Sequence, residues 1–338
     1  MNSVAQNNNT PITVLGAGSW GTALAIQLAR SGRSVHLWGR ETDLIEKMRV
    51  DRVNALFLPD CPFPDTLEVE ADLDKALSLA EDVLVVVPSH ALRDLLEKVA
   101  ACGHRPTRLA WATKGFEGGS GKLAHEVVGE CLGDLPMAVL SGPTFAKEVG
   151  QGMPTAITVA GDETFANFFA DALHGEFFRA YTSNDMVGVE VGGAVKNVIA
   201  IGAGLSDGLG FGANARVALI TRGLAEITRL GVALGAQTET FLGLAGMGDL
   251  VLTCTDNQSR NRRFGLALAE GKSQDDAKKE IFQVVEGATA AEATVTLARR
   301  LDVYMPITET IHQVLAGKLA PREAVGALLE RERKQETE

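Results

Sequence analysis

Cysteine is scarce and unpatterned. Cys61, Cys102, Cys131 and Cys254 are the four in 338 residues, and no two stand in C-x-x-C spacing. That excludes a disulfide scaffold and a cysteine-rich metal site, and it fits reduced thiols in a cytosolic protein. Histidine is nearly as sparse: His36, His90, His104, His125, His174 and His312 fall in no metal-ligand spacing. They read as structural or surface residues, and no metal is expected. There is no G-x-S-x-G and no paired-carboxylate signature. Positive charge is also short, with 32 basic against 43 acidic residues and a net charge of −11. Without a basic stripe, nucleic acid and anionic membranes are not expected partners, and any anionic ligand must be held by local cations. No apolar run approaches the ~20 residues of a membrane span. The polar residues 1–10 lack a signal-peptide pattern and read as a frayed tail. A cytoplasmic chain without membrane insertion is the expectation. No fixed-period repeat and no low-complexity linker interrupts the sequence.

What is present is organised around residues 12–25. A β-branched apolar run, residues 12–15, reads as a strand; Gly16, Gly18 and Gly21 follow in G-x-G-x-x-G, and a helical apolar pattern begins at once. In such a unit the first glycine makes a tight turn, the second lets backbone approach a pyrophosphate, and the third lets helix lie on strand. The helix N-terminus adds unpaired N–H groups and partial positive charge. Glycine is common here, 36 residues, so the setting between strand and helix carries the assignment of a dinucleotide site.

Length allows two domains. Through the first half, strands and helices alternate. Strands read at 34–38, 82–87, 108–113, 137–140, 156–159 and 177–182, with helices at 42–50, 91–101 and 122–131; residues 57–64 read as a proline-punctuated loop. This order implies an α/β, Rossmann-type, doubly wound parallel sheet. Its ligands bind at the carboxyl ends of strands, where Gly16, Arg40, Pro88, Lys114 and Ser141 should ring one crevice. Near residue 188 strand signals vanish. Residues 188–212 are apolar and rich in Gly and Ala, with three charges; residues 214–235 keep three- and four-residue apolar spacing. Ser273 and Asp276 form a helix-start pair, and Pro306 and Pro321 suit helix first turns. The reading is a dinucleotide-binding domain over 1–187 and an all-helical substrate-binding and catalytic domain over 188–338, packed with the active site between them.

Four stretches beyond the glycine loop look chemical. Lys114, in Trp111-Ala-Thr-Lys114-Gly115, follows a buried strand and suits a phosphate or a developing alkoxide. Ser141-Gly-Pro-Thr-Phe-Ala-Lys-Glu148 joins a strand to a helix start, whose N–H groups can hold an anion or simply cap. Lys196, in Val191-Gly-Gly-Ala-Val-Lys196-Asn197, is alone among small and apolar residues. Burial should pull its pKa toward neutrality and make it a candidate acid–base residue, with Asp249, if close, opposing that shift; the plainer alternative is a lysine snorkelling to the surface. Lastly, Gly246-Met-Gly248-Asp249 and the clustered Ser259-Arg260-Asn261-Arg262-Arg263 before a helix at 264–270 read as a phosphate grip. For the cofactor, the second strand ends in Gly39-Arg40, and Arg40 offers a fork suited to a 2′-phosphate, while Glu41 could still reach a ribose. NADP(H), or use of both NADP(H) and NAD(H), is favoured.

Taken together, Gly16-Ala-Gly-Ser-Trp-Gly-Thr-Ala, Val87-Pro-Ser-His90, Ala112-Thr-Lys-Gly115, the Ser141–Glu148 stretch, Gly192-Gly-Ala-Val-Lys-Asn197 and Leu252-Thr-Cys-Thr…Ser259-Arg-Asn261 resemble the bacterial, soluble NAD(P)-dependent glycerol-3-phosphate dehydrogenase family. The resemblance runs from Gly16 to about Leu328. It implies reduction of dihydroxyacetone phosphate to sn-glycerol 3-phosphate, a phosphorylated triose chemistry that supplies glycerophospholipid synthesis. It also implies cofactor contacts from Ser19, Trp20, Arg40, Lys114, Ala146, Arg260, Val284 and Glu286, beside the loop glycines. The substrate site would be lined by Lys114, Gly142, Thr144, Lys196, Asp249, Ser259, Arg260 and Asn261. Lys196 would transfer the proton, with Lys114 the competing candidate. Another two-domain NADP-dependent hydroxy-acid dehydrogenase and a non-catalytic NADP sensor stay open as alternatives, and a homodimer is left open as an assembly.

Overall fold

A computed structural model of the chain describes residues 10–329. Residues 1–9, read above as most of a frayed tail, lie outside the described residues. The chain divides into two compact units: the first comprises Met1–Glu117 and Lys122–Glu190, the second Gly118–Gly121 and Val191–Glu338.

The first unit runs β1 (Ile12–Leu15), α1 (Ser19–Arg30), β2 (Val35–Trp38), α2 (Thr42–Asp51), β3 (Val53–Asn54), β4 (Leu58–Pro62), β5 (Leu67–Glu70), α3 (Leu73–Ser78), β6 (Asp82–Val85), α4 (Leu92–Ala101), β7 (Arg108–Trp111), α5 (Ala124–Leu132), β8 (Met137–Ser141), α6 (Ala146–Gln151), β9 (Thr155–Gly161), α7 (Glu163–Leu173) and β10 (Phe178–Ser183). Eight strands form one sheet in the order β10-β9-β8-β7-β6-β1-β2-β5. All its junctions are parallel except β8 with β9, which is antiparallel. The strands β1 and β6 are buried along their whole length, as strands covered on both faces must be; their polar residues, Thr13 and Asp82, are satisfied by the Ala76 carbonyl and Arg108. Each fully buried Ile, Val or Leu there is worth about 1.5–3 kcal/mol over its exposed state. Helix α4 buries Leu92, Leu95, Leu96 and Val99, an i, i+3, i+4, i+7 stripe.

Two sequence expectations are corrected here. Residues 57–64 are not a plain loop: Leu58–Pro62 pairs antiparallel with Val53–Asn54, and Pro62 is tolerated because this ribbon has only two strands. The strand β5 and helix α3 went unread. The sequence Leu67-Glu-Val-Glu70 alternates buried and exposed positions, which is the period-2 signature of an edge strand. It is only four residues long and half charged, so it gives little signal. The carboxyl ends of β2, β1, β6, β7 and β8 are neighbours along one side of the sheet, and the segments carrying Arg40, Gly16, Pro88, Lys114 and Gly142 follow them.

The second unit is helical. Helix α8 (Met186–Gly208) enters it at Val191, followed by α9 (Gly212–Ala233), α10 (Thr238–Leu242), a π-helical turn (Leu244–Gly248), α11 (Asp249–Thr255), α12 (Arg260–Ala269), α13 (Gln274–Ile281), α14 (Glu286–Arg300), α15 (Pro306–Leu315) and α16 (Pro321–Leu329). Helix α8 is, by length and mean hydropathy, long and apolar enough to cross a membrane, contrary to the expectation that no such run exists. Its most apolar window is 89% buried inside the protein, so it is a core helix. Its small residues let α12 lie directly on it: a Cβ at Gly204 would come within 2.1 Å of the Arg262 carbonyl oxygen, and one at Gly265 within 2.1 Å of that of Ile201.

Candidate active site

In the first unit the loop glycines differ in what surrounds them. Gly16 adopts φ +125°, and a Cβ there would lie 2.3 Å from the Val86 carbonyl oxygen; a Cβ on Gly21 would lie 1.8 Å from that of Gly16. Both positions are closed by packing. Gly18 differs: a Cβ there would meet nothing within 4 Å, so no protein atom demands its smallness, and the open space suits a ligand at the start of α1. No acidic residue stands in the first turn of α1 to cancel its N-terminal charge. The Trp20 indole Nε1 is buried without a protein partner, an orphaned donor beside the same loop. The residues present therefore fit a dinucleotide.

One residue that bears on this loop escaped the sequence reading. Asn54 is fully buried, its Nδ2 donating to the Ala17 carbonyl at 3.0 Å and to Thr22 Oγ1 at 2.9 Å while its Oδ1 accepts from Phe57 N. It braces the loop from the β3–β4 ribbon. A lone Asn between the helix read at 42–50 and the loop read at 57–64 gave no signal for that.

The neighbouring strand ends carry the cations. Arg40 follows β2, exposed, with Nε and Nη2 both donating to Glu41 Oε1 at 3.0 and 2.8 Å. Lys114 follows β7 and donates from Nζ to the Gly142 carbonyl at 3.3 Å; Thr144 Oγ1 donates to the same oxygen at 3.1 Å. Thr113 Oγ1 ties this segment to the one after β6 through the Val87 carbonyl, 2.8 Å away. Ala146 is the first residue of α6. Lys114, Gly142 and Thr144 are thus brought together.

In the second unit Lys196 is buried, 6% exposed, and does not snorkel. Its ammonium donates to the carboxylate of Asp249, itself 2% exposed, and to Thr253 Oγ1 at 2.9 Å. Thr253 Oγ1 donates in turn to the Asp249 carbonyl at 2.6 Å. Asp249 and Thr253 stand one turn apart on α11, which starts where the π-helical turn ends, a local irregularity frequent at functional sites. Thr253 was not singled out from the sequence; its i+4 spacing from Asp249 was the available signal. Burial pushes the adjacent Cys254 thiol up to about 12, which rules it out as a nucleophile at neutral pH.

The phosphate-grip segment is built differently from the expectation. Helix α12 begins at Arg260 rather than 264, because Ser259 caps it: Ser259 Oγ accepts from Arg262 N at 3.2 Å. The arginines separate by role. Arg262 is buried and bonded to Asp207, the Cys254 carbonyl and Asn257, Arg263 is exposed, and Arg260 is intermediate. Burial lowers the pKa of Arg260, partly opposed by the charge of Glu286. Glu286 opens α14, two residues past the exposed Val284. Asn261 links two helices: Nδ2 donates to Asn197 Oδ1 and Oδ1 accepts from Gly287 N, both at 2.9 Å. The residue after Lys196 is therefore bonded to the residue after Arg260, so the two stretches meet. Among the described residues no three His, Cys, Asp or Glu side chains gather as a metal site would require.

A buried ammonium held by a carboxylate and a hydroxyl can stabilise and protonate an oxyanion. A helix N-terminus with a serine cap and a guanidinium can hold a phosphate. Two family models match the chain: the N-terminus of NAD-dependent glycerol-3-phosphate dehydrogenase over residues 11–166, and its C-terminus over residues 185–326. Glycerol-3-phosphate dehydrogenase [NAD(P)+] from Pseudoalteromonas translucida is 58% identical over 96% of this chain and 98% of its own length, and that from Serratia proteamaculans is 57% identical over 97% and 98%. A crystal structure of glycerol-3-phosphate dehydrogenase from Coxiella burnetii aligns with a TM-score of 0.93 and 48% identity, covering 96% of this chain and 100% of that one.

Proposed function

The chain belongs to the NAD-dependent glycerol-3-phosphate dehydrogenase family, and from that membership we propose that it reduces dihydroxyacetone phosphate to sn-glycerol 3-phosphate, the reaction being reversible and its product feeding glycerophospholipid synthesis. It is a nicotinamide-dependent oxidoreductase. The observation that carries the choice of substrate is the meeting of a buried, paired lysine with a helix N-terminus bearing Ser259 and Arg260.

When bound, the nicotinamide supplies the hydride. Gly16, Gly18, Ser19, Trp20 and Gly21 would hold the pyrophosphate end, with Arg40 on the adenosine ribose or its 2′-phosphate. Lys196 carries the proton. Asp249 stabilises its ammonium form, and as negative charge grows on the former carbonyl oxygen, the ammonium offsets it and gives up a proton. In the reverse direction the neutral amine accepts the alcohol proton. Lys114 orients the substrate oxygens from the strand ends. Arg260 and the N–H groups of α12 hold the phosphate; Ser259 Oγ accepts in its cap bond and keeps its own proton to donate.

A panel of carbonyl compounds tests the reading. Dihydroxyacetone phosphate should consume NADPH or NADH, whereas ketopantoate should not, and 6-phosphogluconate should not reduce NADP+. Turnover with either acid and none with the triose would assign the chain to hydroxy acids instead. Cofactor binding without turnover on any compound would make it a sensor.

A further inference from the structure

One face of α8 carries two ionic anchors. Lys196 holds Asp249 and Thr253 of α11. Asp207 stands eleven residues on, about three turns along and on the same side of the helix. Its carboxylate, 10% exposed, accepts from Arg216 Nη1 of α9 at 3.0 and 2.8 Å and from Arg262 Nη2 of α12 at 2.6 Å. Arg262 does more than pair. Its Nε donates to the Cys254 carbonyl at 3.1 Å, one residue past Thr253; its Nη1 donates to Asn257; and its backbone N–H is the one that Ser259 caps. A single guanidinium thus spans the turn between α11, which bears Asp249 and Thr253, and the start of α12, which bears Ser259 and Arg260. Beneath it, the glycine contact of α8 with α12 leaves no slack.

A carboxylate held by two arginines, one of them also fixed through its Nε and Nη1 to other groups, has little freedom to slide, and moving it would leave buried charge unpaired. We propose that Asp207, Arg216 and Arg262 are positioning residues that fix the start of α12 at a set distance from Lys196, and so select a ketone whose phosphate lies that distance from its carbonyl. The inference rests on reading Ser259 and Arg260 as the phosphate grip.

The test compares dihydroxyacetone phosphate with dihydroxyacetone, which has the same carbonyl and no phosphate. Asp207→Asn should raise KM for the phosphate ester by about tenfold or more, the size of a coupled-network effect, with a smaller change in kcat. Its kcat/KM advantage for the ester over dihydroxyacetone should shrink by a similar factor. Arg216→Gln, at a partly exposed residue and with the Asp207–Arg262 bond kept, should shift the same quantities less, and Asp207→Glu should recover part of the loss. If Asp207→Asn does not fold, Arg216→Gln carries the test. A folded variant that loses equally on both ketones, or loses kcat with KM kept, overturns the proposal. Arg260→Ala run alongside separates the two ideas. If it leaves KM for the ester unchanged, the phosphate grip itself is misplaced. If it raises KM while the Asp207 and Arg216 variants do not, the positioning role alone fails.

Discussion

A lysine buried among apolar residues needs a partner, and Lys196 has Asp249 and Thr253. That it would be buried was legible, because residues 191–201 offer it no polar neighbour but Asn197. That a threonine shares it was not, because Thr253 becomes a neighbour only when the π-helical turn and α11 bring it there. Lys114 stands at a strand end with its ammonium on the Gly142 carbonyl, and the proposed mechanism gives it the orienting of substrate. Lys114→Met should therefore raise the substrate KM more than it lowers kcat, measured with saturating NADPH; the reverse pattern would move the proton chemistry to Lys114. Arg40 tests cofactor choice. Its fork is turned to Glu41, in an exposed pair of the kind that contributes at most about 1 kcal/mol. A 2′-phosphate can displace that bond, since a charge-assisted hydrogen bond contributes roughly 1.5–3 kcal/mol. Arg40→Asp should raise KM for NADPH far more than for NADH. An unchanged ratio of the two would show that the 2′-phosphate is read elsewhere.

At the scale of elements, β1, the glycine loop and α1 make a unit whose parts can be tested separately. Gly21→Ala puts a Cβ against the Gly16 carbonyl and should lower Tm as well as cofactor affinity. Gly18→Ala meets no protein atom, so it should keep Tm and still raise KM for NADPH. Full cofactor affinity in Gly18→Ala would remove the pyrophosphate from this loop, and loss of Tm would show that the protein itself constrains Gly18. The unit was readable because strand, turn and helix each speak in adjacent residues. The start of α12 was misread for the opposite reason. Its first turn holds Arg260, Asn261, Arg262 and Arg263, a polar run that looks like loop. Only the Ser259 cap and the burial of Asn261 and Arg262 against α8 and α14 reveal a helix. Long-range pairing of that kind has no local signature.

At the scale of the molecule, the alternation of strands and helices and its loss near residue 188 were legible because short apolar runs of buried parallel strands give way to sustained three- and four-residue apolar spacing. That residues 118–121 group with the second unit although both flanks belong to the first was not legible, being a matter of contact rather than composition. Within the first unit, Glu190 on α8 accepts from Trp111 Nε1 at 3.1 Å and from His125 N at 3.0 Å, and pairs with His125 Nδ1 at 2.5 Å. Burial alone would lower the His125 pKa, but the hydrogen bond and charge of Glu190 outweigh it, and the net shift is upward from 6.5. A raised pKa in the folded state means the pairing contributes fully below about 6.5 and is lost as pH rises through the raised value. Tm should fall over that interval, and His125→Gln should flatten the fall. A decline of equal depth in His125→Gln would place the titrating group elsewhere.

The central claim, that Lys196 protonates the oxygen of reduced dihydroxyacetone phosphate, is tested most directly by single-turnover loss of nicotinamide absorbance. Purified Lys196→Met would be mixed with NADPH and saturating triose beside the unaltered chain, with NADPH binding and Tm measured on both. The expected result is rapid turnover in the unaltered chain, and in Lys196→Met a rate lower by about 10² or more, with NADPH binding retained and Tm lowered because the buried Asp249 carboxylate loses its partner. Near-normal turnover in a folded Lys196→Met would contradict it.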